Sequence, residues 1–103
     1  METQPYKLTD LVNYQDGSVV SRTILNRKSG TVTLFAFDAG QSLSEHTAPF
    51  DAMAQILDGE ADITIAGSPF HLRAGETIIM PASQPHAVQA VQKFKMLLTM
   101  LKE

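Results

Sequence analysis

Few residues of this chain can do chemistry, and the three histidines His46, His71 and His86 head them. An imidazole can ligate a divalent metal, carry a proton near neutral pH, or donate and accept a hydrogen bond. The chain has no cysteine, which excludes disulfides, iron–sulfur clusters, thiolate nucleophiles and cysteine-type zinc sites. Glu45, Asp51 and Gln55 are the side chains that could be proposed as further donors beside His46. Side chains of an extended chain alternate faces, so Glu45 points away from His46, and Asp51 and Gln55 share the face opposite Ala52. Only a bulge after Pro49 would turn Asp51 inward. His71, within Ser68–Leu72, reads as a surface strand residue and takes no role. Arg73 belongs to the turn before Gly75, and neither a phosphate-binding glycine loop, a nucleotide fingerprint nor an arginine pair accompanies the histidines.

The elements that must position these residues are short and extended. Gly30, Gly40, Gly59, Gly67 and Gly75 each stand beside Asp, Ser, Ala or Glu, the punctuation of strands joined by turns. Between them run Thr31–Asp38, Ala52–Leu57, Ala61–Ala66, Ser68–Leu72, Glu76–Met80, His86–Val91 and Phe94–Leu101, rich in β-branched and aromatic residues and mostly alternating with period two. Asp16–Asn26 reads as a further strand ahead of them. Asp58-Gly59 and Ala66-Gly67-Ser68 are hairpin signals. Lys7–Tyr14 alone suggests a helical turn, with Thr9 as its cap. Such a pattern fits an immunoglobulin-like sandwich, a small closed barrel or a jelly roll.

A length of 103 residues allows one domain, divided into an N-terminal arm and first strand over 1–30 and a barrel over 31–103. The net charge of −3 shows no basic face for nucleic acid or anionic lipid. The longest apolar stretches, such as Met96–Leu101, are too short to span a bilayer. Met1–Asp10 contains no basic-then-apolar leader, so the expected compartment is the cytoplasm.

Two blocks carry the most specific pattern. GQSLSEHTAPFDAMAQILDG spans residues 40–59 and GETIIMPASQPHAVQA spans residues 75–90. Gly40, His46, Ala48, Ala52 and Gly59 punctuate the first, and Gly75, Pro81, Ser83, His86 and Ala90 the second. In spacing these blocks resemble the two signature motifs of the cupin family, and the resemblance covers about two thirds of the chain, residues 40–101 with Thr31–Asp38 leading in. It implies an all-β jelly roll, the double-stranded β-helix barrel, with His46 and His86 converging inside it from different strands.

The departures from the family pattern bear on function. Metal-dependent cupins hold their ion with histidines and a glutamate, of which His46 and His86 stand here. Ala48 occupies the position of another histidine and Ala52 that of the glutamate; Ser83 replaces an inner glycine and Ala90 an asparagine. A catalytic zinc normally takes three protein ligands plus water, and a facial iron triad needs two histidines and a carboxylate. Two imidazoles alone make a weak site for Zn, Ni, Fe or Mn. His46 and His86 also read as ordinary strand histidines satisfied by carbonyls or water.

By alternation the lining of the cup is His46, Ala48, Ala52, Ala54 and Ile56, then His86 and Val88, with Met96 and Leu98 from the last strand. Losing a histidine and a glutamate to alanine vacates volume, which suits a small organic molecule held by imidazole hydrogen bonds; the same small residues equally let a barrel pack shut. Met53, Met80, Met96 and Met100 read as core filler. Three functions stay open: a ligand-holding cupin with a degenerate metal site, a metal-dependent dioxygenase or isomerase with a two-histidine site, and a structural dimer module. A homodimer is expected in each, because jelly rolls leave sheet edges to cover. The strand in Asp16–Asn26 could add to a partner's sheet, and outward Met53, Leu57 and Leu97 could form an apolar interface.

Overall fold

The computed structural model describes residues 1–102. A single 3-10 turn, Leu8–Asp10, is followed by eight strands: β1 (Val19–Arg27), β2 (Gly30–Phe37), β3 (Ser42–His46), β4 (Asp51–Ile65), β5 (Ser68–Arg73), β6 (Thr77–Met80), β7 (His86–Gln89) and β8 (Phe94–Leu101). All pairs are antiparallel and follow the order β1-β2-β8-β4-β7-β3, with β5 and β6 also pairing with β4. The sheet curls so that β4 belongs to both of its halves, which is the jelly roll expected from the two blocks.

β4 is where the chain departs from the sequence expectation. Asp58-Gly59 is not a hairpin: Asp51–Gly59 pairs with β8, partly also with β6, and Glu60–Ile65 pairs with β5 and β7. The flanks of Gly59 find other partners, so one strand of 15 residues replaces two. Its register against β8 slips between Ile56 and Asp58. That bulge moves the buried phase from Ala52, Ala54 and Ile56 to Ala61, Ile63 and Ile65, and it bends the strand from one half-sheet into the other. Gly59 has φ of 72°, and a Cβ there would run into the Lys93 carbonyl oxygen. The second signal does make a hairpin, with Ile65 opposite Ser68 and positive φ at Ala66 and Gly67.

The core lies between the two half-sheets. Phe37 and Phe94 stack at its centre with ring centroids 4.5 Å apart, and Ile56, Ile63 and Met96 are fully buried around them. A second apolar cluster lies on the outside, where Leu8, Leu11, Val12 and Tyr14 of the arm cover Leu34, Ala36, Leu57 and Leu97. Leu57 and Leu97, expected to face a partner, are therefore occupied by the chain's own N-terminus. β1 pairs with β2 of the same chain and stands at the end of the strand order. The helical turn forms inside Lys7–Tyr14, but extended Lys7, not Thr9, holds the cap position and no side chain caps it. Among the described residues no helix is long and apolar enough to cross a membrane.

Candidate functional site

His46 ends β3 and His86 opens β7, and the two are directly opposed across the β3–β7 pair. The register there is irregular: Leu43 faces Val88, but His46, three positions on, faces His86, only two back. Leu43 packs against the core. Regular alternation would turn Glu45 inward after it, and the extra residue turns His46 inward instead. Glu45 is left exposed.

The rings meet edge to face, with centroids 4.3 Å apart and planes at 70°. Their Nε2 atoms are 3.0 Å apart. The Nδ1 of His46 is 2.9 Å from the Ser44 carbonyl oxygen, and that of His86 is 3.3 Å from the Gln84 carbonyl oxygen. His86 is buried and His46 exposed. Burial, followed by the charge of the neighbouring His46, holds the His86 imidazole below its ordinary 6.5, partly countered by the Gln84 carbonyl.

The loop that delivers His86 is tied to the one that follows His46. Ser83 N–H donates to the Ala48 carbonyl at 2.7 Å, and Ala82 N–H donates to Asp51 Oδ1 at 2.8 Å. On the other side, Ala66 N–H donates to the Pro85 carbonyl at 2.8 Å. Asp51 thus has a structural role that sequence reasoning missed. β4 begins in regular register at Asp51 and Ala52, no bulge turns the carboxylate inward, and it braces the turn before His86. Alternation gave no sign of this, because the partner lies 31 residues away.

Ala48 is half-buried beside this brace. Ala52 lies opposite Met80 and Met100 and keeps 6% exposure. Ala54, Ile56, Val88 and Met96 are buried in the closed core, with Leu98 packed against it. Their inward phase is as alternation expects, and the reachable part of the cup is its mouth at His46, Ala48 and the edge of His86. Gln55 is on the outer face, opposite Leu97 and Thr77. His71 sits apart, on exposed β5, with Nδ1 2.7 Å from Asp62 Oδ1. Among the described residues no group of three His, Cys, Asp or Glu side chains could hold a metal. The donors present do not fit a complete metal site.

The chain matches the cupin domain family over residues 33–101. It is a cupin. Among solved structures it is similar to a conserved protein of unknown function from Streptococcus pyogenes, at 39% identity and TM-score 0.95, covering 100% of this chain and 90% of that one. A cupin 2 conserved barrel domain protein from Leptotrichia buccalis is also 39% identical, with TM-score 0.91; the match covers 94% of this cupin but only 47% of that chain. A cupin superfamily protein from Desulfitobacterium hafniense shares 29% identity at TM-score 0.94, over 100% and 94% of the two chains. No match was found among curated proteins. This cupin brings His46 and His86 into contact and carries alanine at Ala48 and Ala52.

Proposed function

We propose that this cupin holds a small molecule at the mouth of its barrel through His46 and His86, without a full metal site. The observation that carries the reading is the pair of Nε2 atoms facing each other at 3.0 Å where the other two ligand positions are alanine. The hydrogen bonds that tie the two loops together hold that pair in place. The test is metal analysis of protein purified without a histidine tag, alongside the double variant Ala48→His, Ala52→Glu. The expected result is substoichiometric, chelator-removable metal in the parent, and zinc or nickel affinity raised at least ~100-fold in the variant, as added ligands contribute directly to binding. Stoichiometric metal surviving dialysis would overturn the reading.

One observation favours a metal-dependent enzyme, a dioxygenase or isomerase, as the alternative. Two metal–nitrogen bonds of about 2.1 Å at a right angle span about 3.0 Å, the separation seen here. Stoichiometric metal in the parent protein is the outcome that selects this alternative. A homodimer belongs to the same proposal, supported by Leu25, Ile79 and Leu101, each more than half exposed. So does a cytoplasmic location, supported by a chain with no cysteine from which to build the disulfide framework of small exported domains.

A further inference from the structure

Outside the barrel, the arm turns back into β1. Val12 is buried with Leu34 and Ala36 on the outer sheet face. Past Gln15 the chain reverses, with Ser18 N–H donating to the Gln15 carbonyl at 3.1 Å and Gly17 N–H donating to Asp38 Oδ2 at 2.7 Å. Between the two limbs, residues 11–15 of the arm and 20–22 of β1, lies an open cleft of about 450 Å³, a volume in the range of small-molecule sites. It shares no residue with the histidine site.

Hydrogen-bond donors dominate this cleft. Arg22 stands opposite Leu34 and so takes the outer face, beside the arm. Its Nη1 donates to the Leu11 carbonyl at 3.1 Å, which anchors the guanidinium. Among the described residues Arg22 makes no ion pair, whereas Arg73 has Glu60 at 3.2 Å. The lining contains no Asp or Glu, and its Tyr14 hydroxyl is committed to Asp58. A second donor comes from the backbone. Asp38 N–H donates to the Ser18 carbonyl, which sets the phase of the β1–β2 ladder. Val20 and Arg22 therefore turn their backbone groups toward β2, and Ser21 turns its N–H and carbonyl toward the free edge. Leu11, Val12 and Val20 supply apolar surface.

We propose that this cleft binds a small organic carboxylate, with the Arg22 guanidinium and the Ser21 N–H on the carboxylate oxygens and the organic body against Leu11 and Val20. A guanidinium is planar and always charged, and it matches a carboxylate with two parallel bonds. One cation balances one carboxylate. A phosphate group carries roughly −1.5 to −2, which leaves charge uncompensated in a chain whose own net charge is −3. A neutral amide forgoes the charge-assisted bonds.

The test is 1H–15N NMR of the full chain at pH 7, titrated at constant ionic strength with sodium benzoate, benzamide or sodium phosphate. Benzoate is expected to shift the Ser21 amide and the Arg22 Nε–H signals, with an apparent affinity at least ~10-fold above those of benzamide and phosphate. Arg22 also holds the Leu11 carbonyl, so the ratio of benzoate to benzamide affinity is read in each variant. That ratio is expected to fall toward one in Arg22→Gln, to recover in part in Arg22→Lys, and to stay at the parent value in Arg27→Gln, on the same strand but outside the cleft. Equal affinity for benzoate and benzamide in the parent, or phosphate binding as tight as benzoate, would overturn the carboxylate class. Benzoate shifts that spare Ser21 and Arg22, or a loss in Arg27→Gln equal to that in Arg22→Gln, would overturn the site. None of these outcomes bears on the histidine pair.

Discussion

Ser83 holds φ of 65°, a left-handed conformation that costs a residue with a Cβ about 1–2 kcal/mol. It does so because its N–H must reach the Ala48 carbonyl, which joins the two loops of the site. Ser83→Gly removes the strain, and the greater freedom of glycine in the unfolded chain offsets part of the gain. The expected net stabilisation is about 0.5–1 kcal/mol, read from the midpoint of urea unfolding. Two other residues titrate in opposite directions. The hydrogen bond to Asp62, with the charges of Asp62 and Glu60, raises His71 above 6.5, while burial lowers His86 below it. One NMR pH titration should therefore show His71 losing its proton at higher pH than His86; the reverse order would contradict the burial and pairing described here.

At the scale of the element, β4 organises the barrel, and its bend depends on Gly59. Gly59→Ala would place a Cβ against the Lys93 carbonyl at a positive φ. The expected cost exceeds about 2 kcal/mol, seen as a lowered unfolding midpoint, whereas Gly67→Ala, where a Cβ meets open space, should pay only the conformational part. The β4–β5 pair carries the His71–Asp62 contact across opposed positions. A histidine whose folded pKa is raised contributes stability that is fully present below its unfolded value, about 6.5. That contribution fades as pH rises through the folded value. The difference in melting temperature between the parent and His71→Asn should accordingly be largest below about pH 6 and shrink toward pH 8.

For the whole molecule, the arm closes part of the outer sheet face. Val12 is buried, Tyr14 Oη donates to Asp58 Oδ2 at 2.5 Å, and Lys95 Nζ donates to the Thr9 carbonyl at 2.6 Å. Burial and this bond to Asp58 push the Tyr14 phenol well above its ordinary range. Val12→Asp should cost roughly 3 kcal/mol from lost burial and an unpaired carboxylate, measured by chemical unfolding. The rest of that face is uncovered: Met53, Ile79 and Leu101 line an apolar cavity of about 180 Å³, and Leu25 and Val32 continue along a neighbouring groove that shares Thr99 and Leu101. If two copies pair there, light scattering at micromolar concentration gives twice 11.3 kDa, and Ile79→Glu with Leu101→Glu returns the mass to that of one chain. A parent mass near 11.3 kDa rejects the dimer.

Alternation, turn residues and the spacing of the two blocks determined what depends on neighbours along the chain: an all-β domain, the Ala66-Gly67 hairpin, the inward phase of Ala54, Ile56 and Val88, and the presence of His46 and His86 on facing elements. Tertiary structure decided what depends on partners far away. Whether Asp58-Gly59 turns back or bends onward is set by β6 and β8 on one side and β5 and β7 on the other, and no local propensity encodes those pairings. β3 is short, polar and largely exposed, with little periodicity of its own, and the bulge that aims His46 inward exists only against β7. Leu57 and Leu97 look the same in sequence whether a second barrel or the chain's own arm covers them, because the hydrophobic effect is indifferent to which chain supplies the surface.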